Sequence, residues 1–338
     1  MRRGDPTRER LAPPSDGRPT LSILIATRDR ADDLSNTLES LLTEENLTTD
    51  GWELLVVDNG STDHTAQICA AFEEKFGGRM RTLVEPAPGK SKALNAGLRS
   101  VRGSVLAMTD DDVLCEASYV RSAQELFSDP QIHSAQGRVF IDWVGGDPDR
   151  LDQLSVRLMS LRDFGEDLRP WNDNLTGCNM LVRTRAALEV GGFAEELGPG
   201  AAGFADDSEF SIRLRQAGFQ AVYAPHPAVR HQVGAGRITR RALRDRFARL
   251  GRSYAYYKTS ARPLWRQVLS MGREAVVGES AALLDRWRGR QSEALRRQCE
   301  ISQGWGLVRE RIRLRSVPKE RRLTYMDGPS GQSPERRS

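Results

Sequence analysis

Apolar positions along the chain fall into two alternating rhythms. Leu21 to Ala26 is a near-continuous apolar run, which suits a strand buried on both faces of a parallel sheet. Leu34, Leu38, Leu41 and Leu42 then recur at helical spacing. Trp52 to Val57 predicts a second strand, and Thr65 to Phe76 a helix stopped by Gly77-Gly78. Met80 to Glu85 follows as a third strand, Ser91 to Ser100 as a short helix, and Val105 to Thr109 as a fourth strand. This rhythm predicts βαβ units with right-handed crossovers. Further on, Ser134 to Ile141, Asn179 to Val182 and Gln220 to Ala224 read as strands, and Thr184 to Val190 and Phe210 to Gln216 as helices. Residues 142–175 mix acids, prolines and arginine, with helical spacing only around Leu151 to Leu161.

Polar residues collect after each of the early strands. Thr27-Arg28-Asp29-Arg30 follows the first, Asp58-Asn59-Gly60-Ser61-Thr62-Asp63 the second, Pro86 to Lys90 the third, and Asp110-Asp111-Asp112 the fourth. In open α/β sheets, ligands bind outside the carboxyl ends of the strands. Three adjacent carboxylates repel, and burying them unpaired is costly. A divalent cation carrying a phosphate-bearing ligand would answer that charge, because hard cations take carboxylate and phosphate oxygens. Taken alone, the same acids serve equally well as a turn capping the next helix, expected over Glu116 to Phe127. A second acid cluster, Asp206-Asp207-Ser208-Glu209, follows a Gly/Ala-rich loop and also admits a capping role.

Composition narrows the classes. The chain has 338 residues, 38% hydrophobic and 28% charged, enough for one large or two modest domains. Its net charge is +4, with much of the arginine beyond Arg230, which suits phosphates or an anionic surface. No nucleic-acid-binding motif accompanies that charge, so no nucleic-acid partner is expected. A GxGxxG after the first strand is missing, as is a complete GxxxxGK[ST], which weighs against dinucleotide and P-loop sites. Cys69, Cys115, Cys178 and Cys299 are widely spaced and match no metal pattern, so free thiols in a reducing compartment are expected. The first residues are charged and proline-rich, unlike a signal peptide, and no apolar stretch approaches the roughly 18–20 residues of a membrane span. A cytoplasmic location is expected, at most peripheral at a membrane face.

The last third carries apolar residues at helical spacing with arginine between them: Leu243, Phe247 and Leu250, then Val268, Leu269, Val276, Val277, Leu283, Leu284 and Trp287. Two readings fit. One is a helical subdomain packing on the sheet, with arginine on its wet face, which is preferred; the other is an amphipathic element lying on an anionic membrane.

The ordered motifs resemble the family-two glycosyltransferases, which have the GT-A fold. The resemblance rests on Thr27-Arg28, Val57 to Asp63, Gly89-Lys90-Ser91-Lys92-Ala93-Leu94-Asn95-Ala96-Gly97, Thr109 to Asp112, Thr176 to Met180, Gly191-Gly192-Phe193, Asp206 to Phe210, and His231. It covers roughly residues 20–260, a span of domain size. It implies a Rossmann-like, mostly parallel sheet flanked by helices, here with a C-terminal helical extension. The resulting division is a disordered leader over 1–19, a GT-A domain over 20–235, a basic amphipathic helical extension over 236–315 and a disordered tail over 316–338.

The same resemblance implies roles. Thr27 and Arg28 line the nucleotide pocket, Asp58 accepts from the base N–H, and Lys90 approaches the nucleotide. Asp110 lies near the ribose, Asp111 belongs to the same acidic element, and Asp112 binds metal with His231. Asp207 aligns with the catalytic base. The implied reaction moves a sugar from a UDP- or dTDP-linked donor to an unidentified acceptor hydroxyl with inversion, using Mn2+ or Mg2+ as cofactor. Where the family often has Glu-Asp, this chain has Asp206-Asp207, and where processive members carry Gln-x-x-Arg-Trp it has Arg246-Phe247-Ala248-Arg249-Leu250, which implies a non-processive enzyme. Two rivals remain: a sugar-nucleotide-binding scaffold without turnover, and a nucleotidyltransferase. The latter would need a Gly-rich loop after the first strand that Thr27 to Arg30 does not supply.

Overall fold

The computed structural model describes residues 19–146, 148, 151, 153–257 and 263–317. The leader and tail expected at 1–19 and 316–338 lie almost wholly outside these residues. Within them the chain groups into two compact units. One comprises the described residues up to Asp142 with Ser160–Ala194 and Phe210–Gln232; the other comprises Trp143–Met159, Glu195–Glu209 and the described residues from Val233 onward. The second unit thus gathers two internal segments with the helices that the sequence places in a C-terminal extension.

The first unit opens as the patterning predicts: β1 (Leu21–Thr27), α1 (Ala31–Leu41), a short α2 (Glu44–Thr48), β2 (Trp52–Asp58), α3 (Thr65–Lys75), β3 (Met80–Val84), α4 (Lys90–Ser100) and β4 (Val105–Thr109). Next along the chain come β5 (Val113–Cys115), α5 (Tyr119–Leu126), β6 (Ser134–Val144), α6 (Gln153–Leu158), β7 (Arg169–Pro170), β8 (Asn179–Arg183), α7 (Thr184–Glu189), α8 (Asp206–Gln216) and β9 (Ala221–Gly234), of which α6 and the first turn of α8 belong to the second unit. Among the described residues the strands join in the order β3-β2-β1-β4-β8-β6-β9-β5, with β7 against β9. The α/β expectation is borne out. Its parallel character is confined to β3-β2-β1-β4, where helices provide the crossovers. Beyond β4 the resolved pairings β4–β8, β6–β8, β5–β9 and β7–β9 are antiparallel, so the sheet is mixed.

Strand alternation builds a core on each face of the sheet. Ile23, Ile25, Leu54 and Val56 face Leu34 and Leu38 of α1, Phe72 of α3 and Tyr119 of α5. Leu24, Leu55, Val57 and Met108 face Leu94 and Leu98 of α4, together with Phe193 and Phe210, whose rings stack at 4.4 Å. Gly97 lets α4 settle on β1: a Cβ there would stand 2.4 Å from Leu24 Cδ1. Asn95 of the same helix fixes the Gly191-Gly192-Phe193 turn, its Oδ1 accepting from Phe193 N–H at 2.7 Å and its Nδ2 donating to Phe193 O at 2.9 Å. These motif residues therefore hold the frame.

In the second unit α9 (Arg240–Tyr257), α10 (Leu264–Trp287) and α11 (Gln291–Arg315) form a helical group in which α11 packs on both others. Leu243 and Phe247 are buried as their spacing predicts. The α9–α11 crossing is close: a Cβ on Gly251 would lie 1.9 Å from Gln303 O, and one on Gly306 2.0 Å from Ala248 O. Buried Glu310 accepts from Tyr256 Oη at 3.0 Å and Arg313 Nε at 2.7 Å, and lies 3.3 Å from Arg252. On α10 Arg266, Arg273 and Arg286 reach solvent, as the preferred expectation has it, but Trp265, Leu269, Val276, Leu283 and Trp287 are exposed as well.

Candidate active site

The three acids cap no helix. They stand in the turn from β4 to β5, and α5 begins only at Tyr119. That removes the capping reading of Asp110 to Asp112. Thr27 closes β1 opposite Asp58, which closes β2, so both reach the same sheet edge as the acids. Thr27 Oγ1 donates to Asp111 Oδ2 at 2.7 Å. Lys90, the first residue of α4, forms an ion pair with Asp110. His231 lies within β9, which runs beyond the expected Ala224, and it pairs in register with Val113 of β5. Its Nε2 is thereby 3.4 Å from Asp112 Oδ2, and both side chains are buried.

Arg30 completes the cluster. Its Nη1 is 3.2 Å from Asp111 Oδ1 and its Nη2 3.0 Å from Asp112 Oδ2, while Nη2 also meets Asp33 at 2.7 Å. Burial works against the guanidinium charge, but Asp111, Asp112 and Asp33 outweigh it and raise its pKa. Asp111 is pushed up to about 7, chiefly by burial, with Arg30 opposing and Asp112 adding to the rise. Sequence reasoning assigns no role to Arg30, although its place on the loop leaving a central strand, three residues beyond Thr27, is a usable signal. Arg28, for which the resemblance implies one, is about half exposed and pairs with Asp29 at 3.5 Å.

The surrounding loops are pinned by Asp58, for which the sequence predicts a base contact, and by Asp29, Asn59 and Asp63, for which it predicts no role. Asp29 adopts a left-handed φ of 51°, which aspartate tolerates, and its Oδ1 accepts from Thr62 N–H at 2.7 Å. Those hydrogen bonds, from the Thr62 backbone foremost, lower its pKa. Asp63 accepts from Ala31 N–H at 3.1 Å and Thr65 N–H at 3.0 Å, tying the starts of α1 and α3 together. Asp58 Oδ1 accepts from Ser61 N–H at 2.9 Å. Asn59 donates to Glu85 O and Ala87 O and accepts from Gly89 N–H at 2.8 Å, which fixes the approach to Lys90. Gly89, with φ 136°, supplies the backbone conformation required there.

Asp207 belongs to the second unit, half-buried in the first turn of α8, where its Oδ1 accepts from Ser208 N–H at 2.6 Å. Asp206 beside it is buried.

Among the described residues no group of three or more His, Cys, Asp and Glu side chains forms a metal cage. Asp112 and His231 offer a carboxylate oxygen and an imidazole nitrogen side by side. Mg2+-type sites commonly take one or two protein carboxylates and complete their shell with substrate phosphates and water. The pair fits a cation shared with a diphosphate, and Arg30 shows that the position already attracts positive charge.

Comparison with known proteins agrees with this architecture. An uncharacterized glycosyltransferase of Nostoc is 24% identical over 137 residues, 40% of this chain and 41% of that protein. A glucosyl-dolichyl phosphate glucuronosyltransferase of Haloferax volcanii is 24% identical over 224 residues, 63% of this chain and 69% of that one. The fold matches that of a Pyrobaculum calidifontis mannosyltransferase solved with GDP-mannose and Mn2+, with a TM-score of 0.56 and 18% identity over 87% of this chain and 90% of that chain. Together with the mixed sheet and C-terminal helices, this likeness identifies the GT-A fold. Residues 22–191, about half of the sequence, match the profile of one family across the strands and loops that build the acidic edge, and the chain belongs to glycosyl transferase family 2.

Proposed function

We propose that the protein transfers a sugar from a nucleotide-diphosphate donor, UDP- or dTDP-linked, to an acceptor hydroxyl with inversion. The observation that carries this reading is the meeting of Asp110, Asp111 and Asp112 with Lys90, Arg30 and His231 at the edge where β1, β2 and β4 end. Such an edge combines acids for a metal with cations for phosphate oxygens. Asp112 and His231 would hold Mn2+ or Mg2+, whose contribution when bound is Lewis-acid stabilisation of the departing diphosphate. Lys90 and Arg30 neutralise phosphate charge. Asp58 accepts from the N–H of a uracil or thymine base, and Asp110 from the ribose.

In the transfer, the acceptor oxygen bonds to the anomeric carbon as the bond to the diphosphate oxygen breaks. The electron pair leaves with the diphosphate, and the hydroxyl proton passes to an Asp207 carboxylate oxygen. Separate acids for leaving group and nucleophile give a single displacement, as the paired carboxylates of inverting glycosidases do.

The test is a thermal-shift panel of UDP, dTDP, GDP and CDP, each with Mn2+ or EDTA. GDP belongs in it because the Pyrobaculum enzyme was solved with GDP-mannose. A Mn2+-dependent rise with UDP or dTDP that is lost in Asp112→Ala supports the reading. A rise with GDP alone would overturn the pyrimidine assignment, and donor binding without turnover on any acceptor would favour the scaffold alternative.

A further inference from the structure

We propose that α10 docks on an anionic lipid surface, lying along it with its exposed apolar stripe inserted among the headgroups. The stripe consists of Trp265, Leu269, Val276, Leu283 and Trp287, exposed by 59%, 65%, 70%, 62% and 83%. At 100° per residue these positions fall on one side of the helix, with Gly272 and Ser280 filling the gaps in the row. The opposite side is the packed one: Ala282 and Asp285 are buried, and a Cβ on Gly278 would stand 2.8 Å from Ile301 of α11. One side of α10 thus meets its structural partner, and the other presents large apolar groups to water along about 33 Å of helix. Soluble surfaces scatter such residues singly; a contiguous row marks an interaction site.

Charge selects the occupant. Arg266, Arg273 and Arg286 border the stripe, Arg288 follows at the end of the helix, all four are exposed, and Arg266 lies 5.0 Å from the Trp265 ring. Of the acids on the helix, buried Asp285 pairs with Arg290 and Arg297 and Glu279 lies 3.9 Å from Arg244, which leaves Glu274, accepting from Ser270 at 2.7 Å, as the acid that faces the arginine rim. A second copy would set this arginine rim against its own likeness. Segment 318–338 sets Lys319, Arg321, Arg322, Arg336 and Arg337 against Glu320, Asp327 and Glu335, a net charge of +2 and so of the same sign as the rim. Anionic headgroups oppose the rim in charge while their acyl chains receive the stripe, and tryptophan at each end suits the headgroup level. Among the described residues no helix is long and apolar enough to cross a membrane, so the contact is one of lying on the surface.

The test is co-sedimentation of the full chain with vesicles of phosphatidylglycerol and phosphatidylcholine, and with phosphatidylcholine alone. The full chain is expected to partition onto the anionic vesicles, at least tenfold less onto the neutral ones, and less again in 0.5 M NaCl. The triple variant Leu269→Gln, Val276→Gln, Leu283→Gln, with circular dichroism and melting temperature unchanged, should lose at least tenfold. If it fails to fold, Trp287→Ser removes the most exposed member and should still weaken partitioning severalfold. Wild-type protein left in the supernatant, or binding that both variants leave intact, overturns the proposal. So does a concentration-dependent dimer in lipid-free buffer that the triple variant abolishes, since that assigns the stripe to a second copy. Vesicle binding needs no donor or metal, so its failure is separate from failure of the proposed transfer reaction.

Discussion

Arg30 reaches both Asp111 and Asp112, and those carboxylates are buried, so removing the guanidinium leaves two adjacent acids facing each other in a poorly solvated site. Arg30→Gln should lower stability in EDTA by about 2 kcal/mol, below the full loss for a buried pair because the arginine is one-third exposed. Mn2+ should then recover more stability in the variant than it adds to wild type, since the cation replaces the missing charge. Equal Mn2+ gains by differential scanning fluorimetry would disprove that the guanidinium and the metal answer the same acids. Asp207→Asn keeps side-chain size and the hydrogen bond from Ser208, so it should fold and bind donor normally while turnover falls by two orders of magnitude or more. Wild-type turnover in that variant removes it as the base. At this scale the sequence is legible where a motif names a residue and illegible where geometry chooses between neighbours: Thr27-Arg28-Asp29-Arg30 contains two arginines, and only the backbone turn at Asp29 turns one of them to the acids.

Helices α9 and α11 approach through glycines, and substitution there has a definite sign. Gly251→Ala sets a methyl 1.9 Å from the Gln303 carbonyl oxygen, a backbone atom that cannot rotate away. The gain in helix propensity of about 1 kcal/mol is outweighed, and a net loss of about 2 kcal/mol is expected. Gly272→Ala on α10, with nothing within 4 Å of the new methyl, should instead stabilise by up to about 1 kcal/mol. Opposite signs in urea melts confirm the crossing; a stabilising Gly251→Ala refutes it. The same crossing holds Glu310, where burial alone would raise the carboxyl pKa, but hydrogen bonds from Arg313 and Tyr256 and the nearby arginines bring it below its ordinary 4.5. A depressed pKa adds stability at pH above 4.5 and loses it as pH falls. Glu310→Gln should therefore cost about 1–3 kcal/mol at pH 7, with the gap to wild type narrowing at pH 4. A constant gap would show that this carboxylate's charge does not contribute. Element types were readable from period and punctuation, whereas β9 was read too short because Pro225 and Pro227 break an apolar run that tertiary pairing carries through to Gly234.

For the whole chain, a donor diphosphate that binds only the folded state stabilises it by mass action. At a hundredfold excess over Kd that is about 2.7 kcal/mol. In a protein of this size the rise is roughly 4 °C, which chelation should abolish if the cation is shared with the diphosphate. The strand-helix alternation of the first hundred residues made the parallel half of the sheet legible, since local periodicity alone specifies βαβ units. The antiparallel half was not, because β8, β6, β9 and β5 find one another across long sequence separations that no local pattern encodes. That pairing also orders events in time. Val113 meets His231 across β5 and β9, joining points that leave the ribosome roughly a hundred residues apart. At ~5–20 residues per second, Asp112 emerges on the order of 10 s before the imidazole beside which it ends. The acidic edge is born first and finished last, so the Asp112–His231 pair marks a chain whose synthesis has passed β9.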